Sequence, residues 1–227
     1  MNRIEQFAMF KHVKKETIQK MWALGKIVTY QKDQKCFRAK EENDNIHIML
    51  DGKATIYNLT HEGNRKIIFY FGMGELLDDC VTIGSCSSVN CEFIEKSTVF
   101  ELSKKILLKL MQDDVDLMQA IMKVLERKMW RMGHQLKNTR GNIYLERKLA
   151  AKLWKLARDF GVETQKGIYI DIPLNITELS DFLGAPRETT SRMCKELCKK
   201  NLIFMEQKKI YVLSADRMSH FYRHGEF

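Results

Sequence analysis

The chain has 227 residues, 44% of them hydrophobic and 30% charged, with a formal net charge of +9. That length is enough for two modest domains, each with its own core, and no run approaches the roughly 20 apolar residues of a membrane-spanning helix. The N-terminal MNRIEQFAMFKHVKKE has neither the apolar centre nor the small-residue cleavage site of an export signal, so the expectation is a cytoplasmic protein with no membrane partner. Six cysteines, at 36, 80, 86, 91, 194 and 198, are accordingly read as free thiols and not as a disulfide framework. Residues 140–227 hold 16 Lys+Arg against 11 Asp+Glu, an excess that favours an anionic partner such as nucleic acid.

Residues 4–23 and 104–111 carry apolar side chains at helical spacing. Between them, 28–30, 46–50, 54–57 and 67–71 are short runs of β-branched and aromatic residues, the signature of strands. Asp51-Gly52 and Glu62-Gly63-Asn64 supply turns. Gly52, Gly63 and Gly74 recur every eleven residues, which fits a repeated strand-and-turn unit and predicts a small barrel or jelly roll. Residues 114–138 then form one long helical pattern with Met118, Met122, Leu125, Met129, Met132 and Leu136 spaced 4, 3, 4, 3, 4. That is a coiled-coil seam between two copies of the chain. A helix merely buried along this stripe would instead need a covering surface in the same chain.

The last third reads as a helical domain. Residues 145–160 are amphipathic, 168–172 form a short strand ended by Pro173, and Asn175 with Glu178 makes a capping box. Gly184 closes the helix begun there, and Pro186 opens the next, giving a helix-turn-helix. On the second helix Thr190, Met193, Cys194 and Leu197 are expected inside, and Arg187, Glu188, Ser191, Arg192 and Lys195 outside. Arginine can donate two hydrogen bonds to guanine and glutamate can accept one from cytosine, so this face has base-reading chemistry. Residues 204–212 form two short strands about a polar turn, a wing that carries Lys208 and Lys209 for phosphate contact.

This layout resembles the CRP/FNR family of bacterial transcription regulators along nearly the whole chain. Gly52, Gly63 and Gly74 match the family's turn glycines, and Arg187-Glu188-Thr189-Thr190-Ser191-Arg192 matches its recognition-helix signature. The resemblance implies an α+β chain: an effector-binding β-roll (double-stranded β-helix or jelly roll) over 1–112, a dimerisation helix over 113–139, and a winged helix-turn-helix over 140–227. It implies a homodimer on double-stranded DNA, on an inverted repeat of TGTGA-like or TTGAT-like half-sites, with a small-molecule or redox signal sensed in the β-roll. By the same analogy residues 159–166 would touch RNA polymerase.

In the family's cyclic-nucleotide binders a Gly-Glu pair and an Arg-Ser pair hold ribose and phosphate. Here Asp78-Asp79 and Ser87-Ser88 stand at those places, so a phosphate would meet carboxylates and no arginine. That argues against cyclic AMP and for another small organic effector, in a pocket of Glu75, Asp78, Asp79, Ser87 and Ser88 with Gly133 and His134 from the long helix. The closely spaced N-terminal cysteines of the family's iron–sulfur sensors have no counterpart before Cys36. Cys80, Cys86 and Cys91 form a local group with a redox reading beside a purely structural one. A haem reading would need His47, His61 or His134 as axial ligand. Two rival functions are a β-roll regulatory subunit that does not bind DNA, and an enzyme using the pocket carboxylates. The carboxylates have no nucleophile–base pair, phosphate loop or metal motif in sequence beside them, so a non-enzyme is expected.

Overall fold

The computed structural model describes residues 4–136 and 145–225. Two compact units divide the chain: residues 1–60 with 68–134, and residues 135–227 with the short segment 61–67. No helix among the described residues is long and apolar enough to cross a membrane.

The first unit begins with two short 3-10 turns, Ile4–Gln6 and Ala8–Phe10, and helix α1 (Lys15–Leu24), where the spacing predicted one helix over 4–23. Seven strands follow: β1 (Lys26–Tyr30), β2 (Lys35–Phe37), β3 (Asn45–Asp51), β4 (Ala54–Leu59), β5 (Arg65–Phe71), β6 (Asn90–Phe93) and β7 (Ser97–Ser103). They form two antiparallel sheets, ordered β1-β7-β3 and β2-β6-β4-β5. Gly52, Gly63 and Gly74 have φ of 92°, 79° and 81° and fill the left-handed turn positions their spacing implied.

One apolar core contains Phe37, Met49, Phe69, Phe71, Cys91, Phe93 and Val99. A second gathers Phe10, Ile18, Met21, Ile46, Phe100 and Leu107 with Leu117 and Ile121 of the long helix. Helix α2 (Lys104–Asp113) leads into that helix, α3 (Val115–Leu136), through Asp114. The Asp114 carboxylate is buried; it accepts from Thr17 Oγ1 at 2.6 Å and from the Asp116 amide at 3.0 Å, tying the start of α3 to α1.

The second unit comprises α4 (Leu145–Phe160), β8 (Gly161–Thr164), β9 (Gly167–Ile170), α5 (Ile176–Leu183), α6 (Arg187–Lys199), β10 (Ile203–Glu206), β11 (Lys209–Val212) and α7 (Ala215–His224). Its sheet runs β10-β11-β9-β8, all antiparallel. Lys200 Nζ reaches Glu146 at 2.6 Å, and the Arg147 guanidinium donates to the Tyr222 carbonyl at 3.0 Å, so α4 is pinned to the residues after α6 and to the end of α7.

Candidate DNA interface and sensory loop

Helix α5 starts where its sequence dictates. Asn175 Oδ1 accepts from the Glu178 amide at 2.9 Å while Glu178 Oε2 accepts from the Asn175 amide at 2.7 Å. Gly184, at φ 72°, ends it in the left-handed conformation. Pro186 precedes Arg187 as the N-cap of α6, one position earlier than the sequence suggested, and its carbonyl accepts from Thr190 Oγ1 at 3.1 Å. Thr190, Cys194 and Leu197 are buried and Met193 half-buried.

Arg187, Glu188, Arg192 and Lys195 are exposed, with Thr189 and Ser191 half-buried beside them. An open cleft of about 460 Å³ runs along this face, lined by Ile176, Arg187, Glu188, Ser191, Arg192, Lys195, Glu196 and Lys199. Sequence reasoning missed Glu196 and Lys199. Both lie one helical turn beyond residues already assigned to the face, and they pair at 2.8 Å.

The wing is β10 and β11 joined through Gln207 and Lys208, both left-handed at φ 47° and 65°. Lys208 and Lys209 are exposed at its tip. Residues 159–166 are not a simple loop. They comprise the end of α4, the fully exposed edge strand β8 and the turn to β9, because the sheet continues two strands beyond the wing.

The long helix divides its residues between two faces. Leu117, Ile121, Val124, Lys128 and Arg131, spaced 4, 3, 4, 3, face the first unit. Met122, Met129 and Met132 are 50%, 72% and 50% exposed on another face, with Met118 and Leu125 half-buried at its margin. The Leu136 side chain and residue 138 lie outside the described residues.

The loop after β5 draws its polar groups onto one another. Asp78 is 2% exposed and accepts from the His47 amide at 2.5 Å, His47 Nδ1 at 3.0 Å and Asn43 Nδ2 at 3.0 Å. Asp79 takes Ser87 Oγ at 2.7 Å, the Ser88 amide at 2.8 Å and Ser88 Oγ at 2.5 Å. Burial alone would raise the Asp79 carboxyl, but these donors hold it below the ordinary carboxylate range. Glu75 accepts from the Gly72 amide at 3.0 Å and pairs with Arg131 at 3.3 Å.

Lys128, absent from the sequence-based pocket along with Arg131, donates to the Asp78 carbonyl at 2.5 Å. Its burial brings its ammonium down to about 8 against the pull of Asp78 and Glu75. The two cations continue the helix's inner heptad stripe, and a hydrophobicity pattern is blind to them for that reason.

Gly133 and His134 are not brought to the loop within one chain. A Cβ on Gly133 would meet no atom within 4 Å, and His134 is exposed, its ring tilted against that of Trp130 with centroids 3.9 Å apart. Ser87 and Ser88 face Asp79 instead of an empty seat.

The three cysteines of the local group have separate surroundings: Cys80 meets Lys104 Nζ at 3.4 Å, Cys86 is exposed and Cys91 lies in the sheet core. His47, one of the three haem candidates, is held inside by Asp78. Burial opposes its charge, yet the Asp78 carboxylate lifts it to about 10, and its Nδ1 is already engaged by that carboxylate at 3.0 Å. His61 and His134 are exposed, and no group of three or more potential ligands for a metal ion occurs among the described residues.

Two family models match in tandem. Residues 27–114 match the cyclic nucleotide-binding domain and residues 147–221 the Crp-like helix-turn-helix domain, in the order of the two units. The chain belongs to the CRP/FNR family of transcription regulators. It is similar to the fumarate and nitrate reduction regulatory protein of Vibrio cholerae, 24% identical over 190 residues, covering 81% of this chain and 73% of that one. It is also similar to the CRP-like cAMP-activated global transcriptional regulator of Mycobacterium tuberculosis, 20% identical with 85% and 86% covered. Among solved structures, FixK2 of Bradyrhizobium japonicum shares the fold with a TM-score of 0.73 at 19% identity, over 86% of this chain and 96% of that one. As a CRP/FNR-type regulator the chain carries its DNA-binding function in the helix-turn-helix unit.

Proposed function

We propose that this regulator binds an inverted-repeat operator as a homodimer, with α6 entering the major groove. Arg187, Glu188, Ser191 and Arg192 read base edges there, Thr189 and Lys195 lie alongside, and Lys208 and Lys209 hold phosphates. The observation that carries this reading is the exposed cleft of α6, which gathers arginine and glutamate on the first turns of a helix whose other face is buried. The dimer seam runs through Met118, Met122, Leu125, Met129, Met132 and Leu136; exposed methionines in such a row are otherwise unaccounted for. Edge strand β8 offers RNA polymerase an exposed surface at 159–166.

The sensory loop favours a neutral or cationic small effector over a cyclic nucleotide. Asp79 already takes the hydroxyl and amide donors of Ser87 and Ser88, and a phosphate arriving there would be repelled. A signal at this loop reaches α3 through Lys128 and Arg131, which bond the loop from the face adjoining the seam, about 100° around the helix, and shifts the population of DNA-competent dimers.

The test is fluorescence-anisotropy titration of the reduced, effector-free protein against inverted repeats of the two half-site types, with a scrambled duplex at the same near-physiological salt. Sequence-selective binding with a stoichiometry of one dimer per repeat is the expected result. Equal affinity for all duplexes, persisting in a randomised-duplex selection with cell extract added, would overturn it.

A further inference from the structure

Beneath the sensory loop lies a group of buried polar side chains for which DNA binding has no use. His47 on β3, Asp78 in the loop and Glu101 on β7 are all at most 5% exposed. Tyr30 Oη donates to Glu101 Oε1 at 2.6 Å, and His47 and Glu101 are cross-strand partners. Two thiols join this cluster from the other sheet. Cys91 on β6 is fully buried and Cys36 on β2 is half-buried.

Their meeting is a product of a β-bulge. Lys35 pairs with Glu92, but Phe37 pairs with Cys91, so Cys36 is an extra residue and Cys36 and Phe37 together oppose Cys91. Strict alternation would send Cys36 and Phe37 to opposite faces. The bulge re-aims the chain so that both join the core cluster containing Cys91. His47 borders this cluster, its ring 5.8 Å from that of Phe37 and its Nδ1 held by Asp78, and both the Cys91 thiol and the His47 imidazole bear on the Cys36 thiol. In a bulge both residues of the doubled strand stand against the single residue opposite them, so Cys36 and Cys91 lie on neighbouring strands at the same level of the sheet.

We propose that Cys36 and Cys91 are a peroxide-oxidisable thiol pair that closes a disulfide between β2 and β6. Cys36, the more exposed of the two, is attacked first. Its sulfur takes one oxygen of a hydroperoxide, the O–O bond breaks, and the thiol proton leaves with the other oxygen as an alcohol or water. Cys91 sulfur then displaces hydroxide from the Cys36 sulfenic acid and gives it the Cys91 proton, releasing water. In sum, two thiols and one hydroperoxide yield one disulfide, one water and one alcohol (water, for hydrogen peroxide), with sulfur oxidised and peroxide oxygen reduced.

His47 beside Cys36 favours its thiolate, while burial pushes the thiol well up. The pair stands independently of the operator reading, since the chemistry is complete within the first unit.

The test oxidises the full-length, pre-reduced protein with hydrogen peroxide, alkylates it under denaturing conditions, and maps the unreduced tryptic peptides. Cys36 lies in the three-residue peptide 36–38, and Cys91 in 67–96 together with Cys80 and Cys86. A C80S/C86S variant makes Cys91 the only cysteine of the second peptide, and wild-type protein is run beside it with fragmentation to assign the linkage.

A reducible 36–91 cross-link is expected to hold most of Cys36, and H47Q should form it at least about tenfold more slowly with the same product. Cys36 that stays alkylatable while exposed Cys86 oxidises would overturn the proposal. So would Cys36 ending as sulfinic acid or linked to a second chain. An unchanged rate in H47Q with an intact cross-link would remove His47 from the mechanism.

Discussion

The outer face of α6 and the loop after β5 are both rich in charged and hydroxyl groups, yet they are built in opposite ways. Along α6 the arginines, lysine and glutamate extend into an open cleft. In the loop, Asp78 and Asp79 are each enclosed by three hydrogen bonds from their own chain. A surface that must take an anionic partner keeps its donors free for it. A loop whose donors are spent on internal carboxylates is arranged to hold a shape, and Lys128 and Arg131 fasten it to α3.

The largest expected effect lies in what joins the two regions. Met129→Lys would place a charge in each half of the seam, costing several kcal/mol. Sedimentation equilibrium should find a monomer, and operator affinity should fall by about a hundredfold or more. A dimeric, fully competent Met129→Lys protein would remove the seam assignment.

Next comes the closed loop itself. Asp79→Ala removes the acceptor of the Ser88 amide and hydroxyl, while Ser87 Oγ keeps the Val89 carbonyl as acceptor at 2.9 Å, so the first unit should lose about 1–2 kcal/mol in urea unfolding. No loss would mean the loop is not held by these bonds.

On the open face, Arg192→Ala should cost about 1–3 kcal/mol on the operator and relax selectivity at one base pair in competition titrations. Lys209→Ala should weaken all duplexes alike and lower the salt slope by about one. Equal losses on every sequence for Arg192→Ala would make it a phosphate contact.

The smallest effect is a pH slope. His47 is raised from 6.5 to about 10 in the folded chain, so its contribution is complete below 6.5 and is lost as pH climbs toward 10. Lys128 is depressed to about 8, and above that pH it acts in the opposite sense, relieving a cost of folding. Only His47 acts between pH 6.5 and 8, so the urea midpoint of the first unit should fall across that window and be flatter in His47→Gln.

How legible these features were in the sequence follows from what each element buries. Strands β3, β4 and β5 stand out because they are nearly continuous apolar runs. Strand β7 does not, because Glu101 sits inside it, kept there by Tyr30 and Lys26, and a buried carboxylate breaks the expected alternation. Strands β2 and β6 are short, and the bulge at Cys36 removes the period-two signal from the first.

The exposed face of α6 was legible apart from Glu196 and Lys199, since helical spacing sorts exposed from buried positions once Pro186 marks the helix start. The closed loop was not. Its pairing depends on Ser87 and Ser88 returning to Asp79 across eight and nine positions, and on cations of α3 that continue a stripe begun by leucine and isoleucine.

The wing tip shows a related tension. Two-residue hairpins of this kind favour asparagine and glycine, yet Gln207 and Lys208 hold left-handed φ without that relief, at a cost of about 1 kcal/mol or more each. Putting Asn-Gly there would make a more stable wing with one cation fewer at its end. If Lys208 holds a phosphate as proposed, backbone relaxation and nucleic-acid affinity pull residue 208 in opposite directions, and the strained turn is the cost of carrying a cation at the tip.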